Sequence, residues 1–131
     1  MIVLDTHAWI WWVSSPDLLF DDARRAIQTA SEAGQVYISA ISVWEVAMLV
    51  QRGRLELTID VEDWIRHCEA LPELYFVPVN NSIALRSVQI PDFASADPAD
   101  RIIVATALAL GTPLVTKDER MQAYSQVTTV W

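Results

Sequence analysis

Four acidic residues fall where an apolar run gives way to a helix or a turn: Asp5, Glu45, Asp100 and Asp118. Asp5 ends the run Ile2-Val3-Leu4, and Glu45 lies one turn beyond Val36-Tyr37-Ile38-Ser39. Asp100 opens a long apolar helix, and Asp118 follows Leu114-Val115-Thr116. Carboxylate oxygens are the preferred ligands of hard divalent cations such as Mg²⁺ and Mn²⁺, which keep several waters when bound. One such water becomes a nucleophile, and the cation stabilises the charge that builds on a phosphodiester under attack. Thr116 offers a hydroxyl to the same group, as a ligand or as an orienter of a ligand water. Each acid also has a plainer role. Glu45 completes a capping box with Ser42, Asp100 is a first-turn acid favoured by the helix dipole, Asp118 caps the turn after it, and Asp97 is an N-cap. Asp5 is the hardest to explain so, because an acid closing a buried strand needs a partner. Taken together, four acids at one edge favour a metal site.

That edge is set by the elements around the acids. In Asp97-Pro98-Ala99-Asp100-Arg101, Asp97 suits the N-cap and Pro98 the first helical position, where no N–H is needed. The helix runs through Leu110 and stops at Gly111 and Pro113. Leu114-Val115-Thr116 is then a short buried strand. Earlier, Met1 to Leu4 forms a strand that belongs at the centre of a parallel sheet, with Thr6 the N-cap of the helix after it. Asp21 to Ala33 reads as a helix stopped by Gly34, and Val36 to Ser39 as the second strand. Ser42 to Val50 reads as a helix, and Val61 to Leu71 as another. Tyr75 to Val79 is an edge strand, since Pro78 cannot donate to a ladder. A short helix from Ser82 to Val88, a helical turn at Met121 to Tyr124 and a last strand at Val127 to Trp131 complete the chain. Strands alternating with helices give an α/β fold of three α/β/α layers, with a mostly parallel sheet and right-handed crossovers. Residues 1–131 read as one domain, and ligands of such folds sit at the C-terminal ends of the strands.

Composition bounds the partners. Of 131 residues 53% are hydrophobic and 20% charged, which excludes disorder. No apolar run reaches the ~20 residues needed to span a bilayer. The N-terminus lacks the basic stretch of a signal peptide, and the lone cysteine, Cys68, fits a reducing cytoplasm. The net charge of −8 argues against nucleic acid, unless cations held by clustered acids reverse the local sign. Arg101 is expected to pair with Asp97 or a neighbouring acid, with a phosphate contact as the alternative, and Lys117 either steers substrate or is simply solvated. His7 and His67 have no partner pattern. Trp9, Trp12 and Val13 share a helical face suited to core or dimer contact, whereas Trp11 points elsewhere, towards a partner. Six tryptophans in so short a chain favour a protein–protein interface.

The segments Val3-Leu4-Asp5-Thr6-His7, Ile41-Ser42-Val43-Trp44-Glu45-Val46 with Gly53-Arg54-Leu55, Asp97-Pro98-Ala99-Asp100-Arg101 and Leu114-Val115-Thr116-Lys117-Asp118 together resemble the PIN-domain family. More narrowly they resemble its VapC-type toxins of toxin–antitoxin pairs. The resemblance spans nearly the whole chain. It implies a metal-dependent endoribonuclease using Mg²⁺ or Mn²⁺, with Asp5, Glu45, Asp100 and Asp118 as catalytic and metal-binding acids. Asp97, Thr116, Thr6 and Arg101 are expected as accessory residues. The resemblance further implies an RNA substrate, homodimerisation and an antitoxin partner; no membrane is expected, since no apolar run is long enough to span one. The chain departs from the pattern at Ser95, where many relatives carry histidine, and at Ala99, where many carry phenylalanine. Two other classes compete: a phosphoryl-transfer domain and a non-catalytic acidic binding module. Against the first, Asp5 has no acidic neighbour, and Val77-Pro78-Val79 leads to Asn80-Asn81 rather than to a phosphate-accepting aspartate.

Overall fold

Strand β1 (Ile2–Leu4) is buried at every position, as a central strand covered on both faces must be. The computed structural model describes all residues from 1 to 131. Following β1 come α1 (Thr6–Ser14), a 3₁₀ turn at Pro16–Leu18, α2 (Asp21–Glu32), β2 (Val36–Ser39), α3 (Ala40–Gln51) and α4 (Val61–Glu69). The second half contains β3 (Leu74–Val77), α5 (Asn81–Gln89), α6 (Pro98–Leu110), β4 (Leu114–Val115), α7 (Glu119–Ala123) and β5 (Thr129–Val130). The five strands lie in the order β3-β2-β1-β4-β5, and every pairing is parallel.

Alternation along β1 splits the core in two. Leu4 faces a cluster built from Trp9 of α1, Ile27 of α2, Val46 of α3, and Trp64 and Cys68 of α4. Val3 faces the other side, with Ile83 of α5, Ile103 and Val104 of α6, Leu114 and Met121. The result is the expected α/β/α sandwich. Trp9 is wholly buried and packs its ring on Trp64 at 4.8 Å and edge-on to Phe76 at 5.5 Å. Burial also pushes the Cys68 thiol up to about 11, which makes it a core side chain without reactivity. No helix is long and apolar enough to cross a membrane.

Several local expectations change. The N-cap of α1 is Asp5, whose carboxylate accepts the Ala8 N–H at 2.8 Å; Thr6 is the first helical residue. Strand β2 runs straight into α3, so Ser39 caps that helix and Ser42 lies inside it, buried. The capping box read at Ser42 and Glu45 therefore does not form, and both side chains are free for other partners. Strand β3 is at the edge as expected but ends before Pro78, and β5 has only two residues. The start of α6 is as read: Asp97 caps it, Pro98 is its first residue, and Gly111 ends it at φ +63°, a conformation costly for any side chain.

Arg101 makes no ion pair. Its guanidinium donates to the carbonyls of Ser87 at 2.8 Å, Ile90 at 2.9 Å, Ser95 at 3.0 Å and Val88 at 3.4 Å. It thereby ties α6 to the end of α5 and to the loop before α6. Replacing Arg101 by leucine should cost about 1.5–3 kcal/mol, because these acceptors lose a charged donor. Asp97→Asn, which an Asp97–Arg101 ion pair would make comparably costly, should change stability by less than about 0.5 kcal/mol, since asparagine caps as well as aspartate. Urea denaturation of both variants checks the contrast.

Candidate active site

Sheet register places the chemistry. Leu4 pairs with both Ile38 and Val115, so β1, β2 and β4 run level up to this register. Their next residues are Asp5, Ser39 and Thr116. The helices and turns that leave this edge carry the remaining acids into one cavity of about 520 Å³. Its walls include Asp5, Glu45, Asp97, Asp100 and Asp118, together with Thr6, His7, Trp11, Lys117 and Arg120. Every acid singled out in the sequence is therefore present, gathered from four segments of the chain. Thr116 lies directly behind them, and Arg101 is the one expected site residue that faces elsewhere.

The acids are held mainly by hydroxyls. Asp5 is only 7% exposed; one oxygen accepts the Ala8 N–H and the other accepts the Thr116 hydroxyl at 2.5 Å. The same Thr116 oxygen accepts the Asp118 N–H at 3.0 Å and so fixes the start of the next turn. Asp118 caps α7, accepting the N–H groups of Arg120 and Met121 at 2.8 and 3.1 Å. Glu45 accepts the Thr6 hydroxyl at 2.5 Å. Ser42 Oγ lies 2.9 Å from that hydroxyl oxygen; with the threonine proton directed at the carboxylate, Ser42 donates to Thr6. Asp100 accepts the Ser95 hydroxyl at 2.8 Å, and Ser95 in turn accepts the Asp97 N–H at 3.2 Å.

These bonds do not offset the loss of water. Burial is the largest influence on Asp5, Glu45 and Asp100 and raises all three pKa values, against the opposing hydroxyl bonds. Mutual repulsion adds to the effect: Asp100 and Asp97 act on Glu45, and Asp97 and Asp118 act on Asp100. Arg120 is the direct counter-charge, with Nη2 3.2 Å from Asp100 Oδ2 and 3.4 Å from Asp118 Oδ2. No three acids stand close enough in this arrangement to grip one ion. The donor set nonetheless suits a hard divalent cation: it is all oxygen and desolvated, and it already draws a cationic group in between two of its members.

Sequence reasoning missed Arg120, Ser95 and Ser42 as parts of the site. Arg120 had a usable signal, since a side chain in the first turn of a helix capped by Asp118 stays near its cap. Ser42 had a misleading one, its spacing from Glu45.

A family model described as the PIN domain matches residues 2–127 of the chain. The chain is 36% identical to Ribonuclease VapC22 of Mycobacterium tuberculosis (strain ATCC 25618 / H37Rv), over 99% of this chain and 98% of that one. Among solved structures it is similar to a toxin–antitoxin complex from Klebsiella pneumoniae, at 25% identity and a TM-score of 0.65, covering 98% of this chain and 97% of that one. It also shares its fold with VapBC2 from Rickettsia felis, solved bound to a DNA fragment from their promoter, at 14% identity, a TM-score of 0.70 and the same two coverages.

The raised carboxyls give the fold a testable pH response. Asp5, Glu45 and Asp100 hold their protons more tightly folded than unfolded, so the folded chain binds more protons in the intervening range. With chelator present, stability should therefore rise as pH falls from neutral through the folded values. The gain is complete near the ordinary carboxyl values of 3.8 and 4.5. Asp100→Asn should raise the chelated protein's Tm at pH 7 and flatten this dependence. Thermal melts across pH 4.5–7.5 measure both, and a lower Tm in the variant at pH 7 would contradict the repulsion argument.

Proposed function

From its place in the PIN-domain family, to which this chain belongs, we propose that it is a metal-dependent endoribonuclease and the toxin of a toxin–antitoxin pair. The observation that carries this reading is the convergence of Asp5, Glu45, Asp100 and Asp118 on one cavity, three of them with pKa values raised chiefly by burial. Near-full-length similarity to a protein named as a ribonuclease supports it. The match of the family model to residues 2–127 supports a single nuclease domain over 1–131.

Mg²⁺ or Mn²⁺ would be held by Asp5, Glu45, Asp100 and Asp118, with Asp97 at the margin. Bound there, the ion supplies an activated water and stabilises charge on the phosphate. The chain's own part is positioning. Thr116 and the α1 amide fix the Asp5 carboxylate, the Thr6–Ser42 pair fixes Glu45, and Ser95 fixes Asp100. Arg120 is half exposed and bonds only to carboxylates and its own cap, so its guanidinium is available to a phosphate oxygen when substrate arrives. Water attacking in line leaves a 5′-phosphate and a 3′-hydroxyl. Single-stranded or loop RNA is the fitting substrate, because an unpaired strand enters a cleft that a stacked helix does not.

The partners follow from the same site. An antitoxin tail that places arginine among the acids would compete with the metal, and the Arg120 bridge supports the fit of a guanidinium there. Exposed Leu85 and Val88 on α5, at 60% and 77%, and Trp44 on α3 support burial against a second copy of the chain. We place the protein in the cytoplasm, where RNA and the antitoxin are found.

The test is end-labelled RNA incubated with Mg²⁺ or Mn²⁺. Wild type should cut single-stranded substrate to 5′-phosphate products. Asp5→Asn, which keeps an oxygen to cap α1, should lower kcat by about 10²-fold or more. Products ending in a 2′,3′-cyclic phosphate would show the ribose hydroxyl to be the nucleophile and overturn the water mechanism.

A further inference from the structure

Lys117 is the only lysine in the chain. It leaves the end of β4 beside Asp118, in a protein of net charge −8, yet it makes no ion pair with any carboxylate. Instead its ammonium lies over the ring of Trp11, 5.6 Å from the centroid. Both residues line the same cavity as the acids. The other cation on that wall, Arg120, bridges Asp100 and Asp118 and must leave them before it can meet a phosphate. Lys117 is thus the one cationic side chain at the cavity without a carboxylate partner.

Trp11 is set as a fixed plate. His7 stands one helical turn before it, their rings 5.6 Å apart, and Trp131 packs against it at 5.6 Å. Trp131 is backed in turn by Phe20. An indole braced this way and lining the cavity offers what an unpaired nucleobase needs, a flat apolar face already ordered. An exposed cation–π contact is weak, so a flexible lysine yields that face readily.

We propose that Trp11 and Lys117 form the subsite for the nucleotide next to the scissile phosphate, the base stacking on the indole while the lysine ammonium takes that nucleotide's own phosphate. The inference rests on the ribonuclease reading and adds to it the part of the cavity that grips the strand. Neither residue touches the reacting atoms; both position the strand against the acids. Stacking reads the face of a base and not its edge, so the subsite tolerates any base. It also supplies positive charge to a site whose acids would otherwise repel a polyanion.

The experiment is steady-state cleavage of a single-stranded oligoribonucleotide with Mn²⁺ at several salt concentrations. The proteins are wild type, Lys117→Gln, Lys117→Arg, Trp11→Leu and Trp11→Phe, each checked by thermal melt. Lys117→Gln should raise KM about tenfold and reduce the slope of log KM against log salt by about 0.7, the share of one phosphate on a single strand. Its kcat should stay within about twofold of wild type, and Lys117→Arg should restore both KM and slope. Trp11→Leu should raise KM by a similar factor with the salt slope unchanged, and Trp11→Phe should retain most of the affinity. If Trp11→Leu fails to fold, the exposed Lys117→Gln and Lys117→Arg pair decides alone. Unchanged KM and slope in Lys117→Gln, with wild type active, would overturn the subsite and leave the ribonuclease reading standing. A wild type that cuts no RNA with either metal would overturn both.

Discussion

The central strand of a parallel sheet is walled in on both faces and on both sides, and this chain ends that strand with a carboxylate. Asp5 has almost no access to water, yet it is anchored by two bonds that favour its charge, one from the first turn of α1 and one from Thr116 on the neighbouring strand. Burial outweighs both bonds. Much of the surrounding arrangement follows from this tension. The residues that satisfy Asp5 also start α1 and the turn into α7, so the position of Asp118 depends on the same hydrogen bonds.

A common device holds the other acids. Asp5, Glu45 and Asp100 each accept a hydroxyl from a neighbouring segment: Thr116, Thr6 and Ser95. A hydroxyl fixes an oxygen in space without cancelling its charge, which an arginine or lysine would do. The cavity consequently keeps a high density of negative charge in ordered positions, with Arg120 alone bridging across it. That is the state a site needs if it is to attract a divalent cation and still present preorganised ligands. The same charge would exclude a polyanionic substrate without a cation on the wall, which gives Lys117 its significance.

The loop before α6 illustrates how scaffold and site are joined. Ser95 presents its hydroxyl to Asp100 and its carbonyl to Arg101, so one residue links the acid to the guanidinium that anchors the loop. A small hydroxyl is all that makes the contact to the acid. Arg101, though adjacent to a site acid, is a structural residue whose partners are carbonyls.

What the sequence determined was local or periodic. Each end of α6, Asp97 and Pro98 at the start and Gly111 at the stop, depends on residues within a turn of that end, and the apolar runs of β1, β2 and β4 are equally local. Because parallel strands share an edge, placing those runs set the edge where Asp5 and Asp118 stand, and the helices read beside it carry Glu45 and Asp100. The tertiary structure decided the pairings between distant residues. Thr116 reaches Asp5 across 111 positions, and Thr6 reaches Glu45 across 39. Such contacts depend on sheet register and on how helices pack over the strand ends, neither of which leaves a mark at fixed spacing. The same holds for Ser42, which has cap-like spacing but lies within a helix because β2 enters α3 without a loop. Arg101 is the limiting case: an acid, Asp100, directly precedes it, but folding brings four carbonyl oxygens within reach, and the guanidinium satisfies those instead.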